Sequence, residues 1–407
     1  MGYIIKDRNL LLLFLVSFLF FCSETILLPV LPMVLAKLDY SHTQIGMTLG
    51  AFALGVLVFR PLTAHVTDKK SRKLSLIIGT FIFLVAPFLY FVSLDFTYLM
   101  GVRFFHGLGI SFFTTACPAY VADLAPAERR GEILGHMGVP SSLATVVGPL
   151  AGVLIYDMGG IHMVLWGCVI LGLLGFVLTL IIAEDKKTGE EGGDVTSHAR
   201  IFTNRSVVVA SALGLVLALM NGGVFTFLPV LVKGEFSVNV GLVFMINSLS
   251  LVFFRFLASP VSDRYGRGPA VFYSFLILCL SYHLIGSSRT TAGLIGAAVL
   301  NGIGVGGCMP ALIALVVDHV DEKARGLAFS VFYGAYDIGM ILGGAALGVL
   351  ADYTSLREMY TITAMLAVFA VLGFALVIRP GAMESLKWTL LGRGSRGDAG
   401  LDRSHVG

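Results

Sequence analysis

Two stretches of this chain nearly repeat each other: FRPLTAHVTDKKSRK at residues 59–73 and FRFLASPVSDRYGRG at residues 254–268. They share an arginine, an aspartate and a second arginine at a constant offset of 195 residues. The same offset matches Arg60 with Arg255, Asp68 with Asp263, Arg72 with Arg267, Gly107 with Gly302, Gly109 with Gly304, Asp123 with Asp318, Arg130 with Arg325, Gly148 with Gly343 and Asp157 with Asp352. A register held over about a hundred residues indicates an internal duplication. We therefore expect two half-proteins that face each other across an interface.

The composition indicates that lipid, and not water, surrounds the chain. Hydrophobic residues make up 57% of the 407 residues, charged residues only 13%, and the mean hydropathy is +0.89. An ordinary soluble domain has about a quarter of its residues charged. Here the charges are confined to short clusters between apolar stretches, which excludes a water-soluble surface.

Twelve apolar stretches are long enough to cross a bilayer as α-helices, which rise about 1.5 Å per residue through roughly 30 Å of hydrocarbon. Their approximate spans are 10–36, 44–66, 74–94, 97–122, 131–156, 161–183, 206–232, 238–262, 269–288, 292–317, 326–351 and 357–379. They are too long for the strands of a membrane barrel, which have about ten residues. The predicted fold class is an all-α membrane protein with twelve transmembrane helices in two pseudo-symmetric six-helix halves. The first span is too long for a signal peptide and lacks a small-residue cleavage site, so we retain it.

The basic residues predict the orientation of the spans. Of the 28 Lys and Arg residues, 21 fall in the segments on the same side as the N-terminus, so the positive-inside rule places both termini in the cytoplasm. This predicts a multi-pass protein of the inner (cytoplasmic) membrane. We expect an N-terminal half at 1–183, a cytoplasmic linker at 184–205, a C-terminal half at 206–380 and a disordered cytoplasmic tail at 381–407.

The cysteines give no framework for a disulfide or a metal site. All five lie within apolar spans, and their spacing is not that of metal ligands. The chain also lacks a nucleophile with a matching base and a glycine-rich phosphate loop. We therefore expect no enzyme activity, no catalytic residues, no cofactor, no metal and no nucleic-acid partner.

The loop between the second and third spans resembles the loop motif of the major facilitator superfamily. In that family a glycine is followed four residues later by an aspartate, and then by Arg, Gly and two further bases. Ala64 and Ser71 replace the glycines here, whereas Asp68 and Arg72 remain, and the second copy keeps Gly266. The resemblance covers about residues 10–380 and implies the twelve-helix fold of secondary transporters.

Two further motifs are similar to those of the twelve-helix drug:proton antiporter branch of that superfamily. Arg103, His106 and the glycines after it resemble the Arg-x-x-Gln-Gly-x-Gly element of the fourth helix, with histidine in place of glutamine. Gly148, Pro149 and Gly152 resemble the Gly-Pro-x-x-Gly signature of proton-driven exporters, and these glycines also permit close helix contact.

The duplicated charges predict a cytoplasmic gate. An aspartate at the end of a helix can meet the positive N-terminal end of a helix from the other half. We expect Asp123 and Asp318 to pair with Arg72 and Arg267. The gate residues are Asp68, Arg72, Asp123, Arg130, Asp263, Arg267, Asp318 and Arg325. The alternative is a solvated loop with ordinary surface charges.

Charged groups inside the spans are the best candidates for a functional site, because burying a charge in lipid is costly. Glu24 lies roughly 21 Å along the first helix, and an isolated carboxylate there holds its proton more readily than in water. Arg103 and His106 share a face of the fourth helix, and the resemblance implies that both helices line a central cavity. We expect Glu24 to take a proton from outside and release it inside, while Arg103 and substrate compete for its charge, and His106 is a further candidate for proton coupling. The alternatives are a fixed salt bridge with Arg103, and a His106 that only bonds a neighbouring helix.

Asp337 is the second buried acid, near the middle of the eleventh span and close to Tyr333 and Tyr336. Its counterpart in the first half is Ser142, so duplication does not explain it. It is either a contact for a ligand or cation, proton coupling included, or a hydrogen-bonded helix contact. Polar residues that could widen the substrate cavity, or only pack helices, are Asn221, Asn247 and Asn301.

Together these features predict a proton-coupled secondary transporter that works by alternating access. Export of a lipophilic or amphiphilic organic molecule is favoured, cationic if Glu24 and Asp337 face it and less so if Arg103 does. The alternative is a proton-linked or facilitative importer of a small organic solute. The expected partners are this small-molecule substrate, protons and the lipid bilayer, with the protein as a monomer.

Overall fold

The computed structural model describes residues 2–183, 204–320, 324–378 and 381–392, which form helices and no β-strand. The first-half helices are α1 (Gly2–Lys6), α2 (Arg8–Lys37), α3 (His42–Lys69), α4 (Arg72–Val92), α5 (Phe96–Leu124), α6 (Arg130–His136) and α7 (Val139–Ile181). The remaining helices are α8 (Arg205–Glu235), α9 (Val240–Tyr265), α10 (Arg267–Ser287), α11 (Thr291–Val317), α12 (Arg325–Tyr353), α13 (Leu356–Val377) and α14 (Ala382–Leu391). The predicted linker at 184–205 falls almost wholly outside the described residues, as does the tail from 393 onward.

The all-α membrane fold is confirmed. Within the described residues, ten helices are long and apolar enough to cross a membrane. One of them, Arg130–Ile181, combines α6 and α7 and covers the fifth and sixth predicted spans. Phe96–Leu124 occupies the position of the fourth span. Large apolar side chains are exposed on the outer faces, among them Phe256 at 70% and Phe369 at 72%. Such apolar surfaces are stable in contact with lipid, whereas in water they would favour aggregation.

A break at Gly159 and Gly160 separates the two membrane-crossing arms of α7. Gly160 has φ of +69° and ψ of −167°, a backbone conformation that only glycine adopts without strain. The chain reverses there without a long loop. The two glycines therefore explain why the sequence shows two spans, 131–156 and 161–183, with only a few residues between them.

The prediction of a disordered tail from residue 381 is wrong for its first part, since Ala382–Leu391 forms α14. Ser385 and Thr389 are fully buried, and the Trp388 ring lies where a side chain on Gly268 would be, 2.7 Å from an added Cβ. A tryptophan buries a large apolar area when it packs, which offsets the entropy lost on ordering a short helix. The residues that follow are polar and rich in glycine, so the local sequence does not predict this helix.

The contacts between residues divide the chain into two compact units. The first unit contains the described residues up to 183 together with Asn221–Met245 and Met340–Tyr353, which come from α8, α9 and α12. The second contains Ile246–Gly339, where described, and the other described segments. The core of the first unit includes Phe20, whose ring stacks on Phe113 at 3.9 Å. In the second unit, the fully buried Tyr282 and Tyr360 pack edge to face.

Candidate functional site

Glu24 lies on α2 between two buried neighbours, Ser23 and Thr25, and is itself half-buried. The Thr25 hydroxyl donates to the carbonyl oxygen of Ala144 at 3.0 Å, which fixes the helix on either side of the carboxylate. Within the described part of the chain, the Glu24 carboxylate makes no hydrogen bond and no salt bridge. The carboxylate is therefore held in position without a direct partner in the described chain.

The Gly-Pro-x-x-Gly signature lies directly against this part of α2. A Cβ added to Gly148 would lie 2.0 Å from the Thr25 hydroxyl oxygen, and one added to Gly152 would lie 2.1 Å from the Ile26 carbonyl oxygen. No side chain fits at such distances, so the backbone of α7 packs directly on α2 beside Glu24, against the Thr25 side chain and the Ile26 backbone. The signature therefore positions the helix that carries the candidate proton carrier.

Arg103 on α5 is buried, with 8% of its surface exposed. Its Nε donates to the Thr48 carbonyl oxygen at 3.2 Å, one terminal nitrogen lies 3.5 Å from the Tyr90 hydroxyl, and the guanidinium lies 4.3 Å from the centre of the Phe52 ring. It is close enough to Glu24 for an electrostatic interaction. The fixed salt bridge that the sequence left open is not formed here, because the donors of Arg103 are directed to Thr48 and Tyr90.

His106 joins the same cluster through Tyr90. The Tyr90 hydroxyl and His106 Nδ1 are 3.1 Å apart, and the Phe83 ring covers the imidazole at 4.4 Å. His106 Nε2 is buried with no hydrogen-bond partner among the described residues. The structure thus brings Arg103 and His106 together through a tyrosine that the sequence analysis missed. Tyr90 lies among aromatic residues of the third span, and nothing in its local sequence marks it.

A small cavity adjoins Arg103 within the first unit. It has a volume of about 20 Å³, room for one water molecule, and its lining includes Leu31, Thr48, Phe225 and Thr226. The Thr226 hydroxyl is buried there with no hydrogen-bond partner among the described residues. The cavity offers Arg103 and Thr226 a position for a polar atom.

The predicted polar residues of the C-terminal half are also buried. Asp337 on α12 is 8% exposed and belongs to the second unit, as does the exposed Tyr333. Asn247 donates to the side-chain oxygen of Asn301 at 2.9 Å and to the Ala298 carbonyl oxygen at 3.1 Å. These two asparagines join α9 to α11, which is the packing role that the sequence analysis had kept as an alternative. Asn221 is buried as well, with 7% exposure, and Tyr336 is half-buried.

Both predicted ion pairs of the loop motifs are present. Arg72 donates to Asp123 at 3.1 Å and to Asp68, and Arg267 donates in the same way to Asp318 at 2.9 Å and to Asp263. Each arginine thus holds two acids that lie at the ends of different helices of its own repeat. The other two predicted gate residues, Arg130 and Arg325, are the first residues of α6 and α12.

A second network, which the sequence analysis did not find, joins α3 and α12 at the opposite end of the helices. Asp352 accepts hydrogen bonds from the His42 backbone N–H at 2.8 Å, the Thr43 N–H at 2.9 Å and the His42 ring at 2.9 Å. One turn further along, a Cβ on Gly46 would lie 2.0 Å from the Gly344 carbonyl oxygen. All these residues belong to the first unit, so the end of α12 packs directly on the start of α3.

A related contact joins α9 to α7. A Cβ on Gly241 would lie 2.6 Å from Leu150 Cα, and Lys233 approaches Asp157 at 3.8 Å. Asp157 and Asp352 are counterparts in the repeat, yet one meets a lysine and the other a helix N-terminus. We call these two contacts, α3 with α12 and α7 with α9, the glycine contacts.

A duplicated helical membrane protein with ionisable side chains buried among its helices has the form of a secondary transporter. The family model described as Major Facilitator Superfamily matches residues 13–239 and 210–390, and the chain belongs to this superfamily. The staphylopine export protein of Staphylococcus aureus is 25% identical over 88% of this chain and 92% of its own. The quinolone resistance protein NorA of the same species is 26% identical over 52% of this chain and 55% of its own.

Among solved structures, a mutant of the nucleoside transporter NupG has the same fold. The TM-score is 0.80 at 16% identity, covering 92% of this chain and all of that one. At this identity the similarity establishes the fold alone. The chain is therefore a membrane transporter of the superfamily, with relatives of the efflux type.

Proposed function

We propose that this protein is a proton-coupled exporter of a lipophilic or amphiphilic organic molecule, working by alternating access. One observation carries the proposal: Glu24 lies inside a membrane helix, within electrostatic reach of Arg103, yet has no direct partner in the described chain. Export is favoured because staphylopine export and quinolone resistance are named for two of its relatives.

In the proposed cycle Glu24 is the proton carrier. A deprotonated Glu24 interacts favourably with Arg103, and a protonated Glu24 loses that attraction and leaves the arginine charge uncompensated. Arg103 remains in place because Thr48 and Tyr90 accept its hydrogen bonds. Proton binding therefore changes the charge of the first-half site without moving its cation, and this change biases the equilibrium between two conformations.

The glycine contacts supply the element that opens and closes. Helices that touch backbone to backbone, as at Gly46 and Gly344, pack tightly and separate without having to repack large side chains. Asp352 adds a charge-assisted hydrogen bond to this contact. The Arg72 and Arg267 networks, at the other end of the helices, form the proposed cytoplasmic gate.

The proposed orientation of the protein in the membrane is based on the distribution of its basic residues. With both termini in the cytoplasm of an inner membrane, the glycine contacts lie on the outer side and the loop motifs on the inner side. Asp337 and Tyr336, on α12, are proposed to face the cargo or a second proton.

Transport by purified protein in proteoliposomes tests the proposal. An imposed pH gradient should drive uphill movement of a fluorescent amphiphile, taken from a panel of ethidium, Nile red and dansyl undecanoate, with opposite proton flux reported by lumenal pyranine. Glu24→Gln should abolish uphill movement and proton flux but retain downhill exchange. Glu132→Gln, at an exposed glutamate paired with Arg129, is the matched control and should behave as wild type.

Two outcomes would contradict the proposal. If Glu24→Gln still concentrates the amphiphile with unchanged proton flux, Glu24 is not the carrier. If protons and substrate move in the same direction, the protein is a proton-linked importer, the alternative that the sequence left open.

A further inference from the structure

The second unit contains a pocket of about 550 Å³ between α9, α11 and α12, with the start of α10 at its side. This volume lies within the roughly 300–1,000 Å³ of typical small-molecule sites. Its lining comprises Arg255, Arg267, Met309, Pro310, Ile313, Ala314, Val317, Asp318 and Tyr333. Most of the wall is apolar, and the charged groups on it are two arginines and one aspartate.

Helix geometry places these groups at two depths. Arg255 lies ten residues before the end of α9 at Tyr265, and Met309 and Tyr333 lie eight residues from the corresponding ends of α11 and α12. At about 1.5 Å per residue, all three are roughly 12–15 Å inside the bundle. Arg267 and Asp318 lie at the helix ends. The pocket therefore runs from a charged mouth to a deeper part that contains Arg255.

The charges at the mouth are already neutralised, whereas the deeper one is not. Arg267 is held by Asp263 and by Asp318. Arg255 makes no hydrogen bond and no ion pair with any described residue, and its side chain is exposed in the pocket. The groups that interact with it electrostatically are the tyrosines Tyr333 and Tyr336. The pocket thus has one uncompensated positive charge at depth.

We propose that this pocket binds an organic anion with an apolar body, such as a carboxylate- or phosphate-bearing amphiphile, through Arg255. A cation at membrane depth is costly unless an anion or water compensates it, and a guanidinium fits carboxylate and phosphate oxygens in a two-pronged geometry. Tyr333 lies on the same pocket wall. Met309, Pro310 and Ile313 pack against the apolar body. The identification of this ligand as the cargo rests on the proposed export function, but its binding does not.

Equilibrium binding of dansyl undecanoate to the purified full-length protein, measured by fluorescence without any pH gradient, tests the inference. The carboxamide of the same probe, which is uncharged, tests whether binding requires the negative charge. Wild type should bind the carboxylate about tenfold to a hundredfold more tightly than the carboxamide, the range expected for one charge-assisted contact. Arg255→Gln should lose this preference, and Arg255→Lys should keep part of it. Arg264→Gln is the matched control, because Arg264 lies on the same helix beside Tyr265 and does not line the pocket.

Membrane lipid is the other source of such an anion, and a competition arm distinguishes the two sources. In nanodiscs, displacement of the probe from wild type by phosphatidylglycerol but not by phosphatidylcholine assigns the pocket to a lipid headgroup. Unchanged probe binding assigns it to a free amphiphile. Equal binding of carboxylate and carboxamide by wild type, or an unchanged preference in a folded Arg255→Gln, overturns the proposal. Because Glu24 takes no part in this assay, a failure of proton coupling leaves the result intact.

Discussion

The contact between Gly46 and Gly344 allows a sharp test of alternating access. In Gly46→Ala the new Cβ would lie 2.0 Å from the Gly344 carbonyl oxygen, whereas carbon makes favourable contacts at about 3.5–4.0 Å. Relief requires α3 and α12 to separate by more than about an ångström. Overpacking of this kind typically costs about 1–3 kcal/mol. The population of the state in which α3 and α12 are in contact should therefore fall by about fivefold to a hundredfold relative to states in which these helix ends are apart.

Gly50→Ala is the matched control. Gly50 lies one turn further along the same helix and faces the same partner, but a Cβ there would lie 3.6 Å from the nearest atom, the Ile341 carbonyl oxygen. That is an ordinary van der Waals distance. The two substitutions therefore have the same chemistry and the same helix propensity, and differ only in the clash.

Distances between spin labels at Met47→Cys and Tyr353→Cys report this separation, since both positions are exposed, at 37% and 86%, on α3 and α12. Gly46→Ala should shift the distribution towards longer distances and slow transport, and Gly50→Ala should leave both unchanged. A wild-type distance distribution in Gly46→Ala would refute the reasoning, as would an equal shift in Gly50→Ala.

Three further substitutions test the sites separately. Asp352→Asn removes the charge that accepts three hydrogen bonds, so the same spin-label distances should lengthen, with about a tenfold change in population. Tyr90→Phe should slow proton flux in the pyranine assay by about threefold to tenfold without lowering the melting temperature by more than a few degrees, because one neutral hydroxyl is lost. Gly152→Ala should lower the melting temperature in detergent, since its Cβ would lie 2.1 Å from the Ile26 carbonyl oxygen, whereas Gly135→Ala, with no atom within 4 Å of the new Cβ, should not.

The helices themselves could be predicted from sequence because lipid imposes a local rule. A run of about 20 apolar residues crosses the bilayer whatever its neighbours do. The predicted span at 10–36 corresponds to Arg8–Lys37, and the span at 326–351 to Arg325–Tyr353. The pairing of Arg72 with Asp123 could also be predicted, because the same residues recur in the second repeat and few other charged partners are available.

The contacts between helices could not be predicted in the same way, since they depend on how each helix is rotated. His42 and Asp352 are 310 residues apart, and neither belongs to a motif. Asp157, the repeat counterpart of Asp352, meets Lys233 and offers no guide. Tyr90 was missed for the same reason: only the rotation of α4 shows that its hydroxyl faces His106.

The repeat helps to separate structural from functional residues. The arginine and aspartates of each loop motif are present in both halves and form the same pairs, as expected for structural contacts that both halves need. Three of the groups placed in proton transfer or cargo binding have no matching charge at the same offset: Glu24 corresponds to Leu219, Arg103 to Ala298 and Asp337 to Ser142, whereas Arg255 corresponds to Arg60. A buried charge is costly in a membrane, so a charge retained in only one half needs a role specific to that half. On this argument we propose that the first half carries the proton at Glu24 and that Asp337 has a role specific to the second half, whereas the proposed role of Arg255, which recurs as Arg60, rests on its pocket.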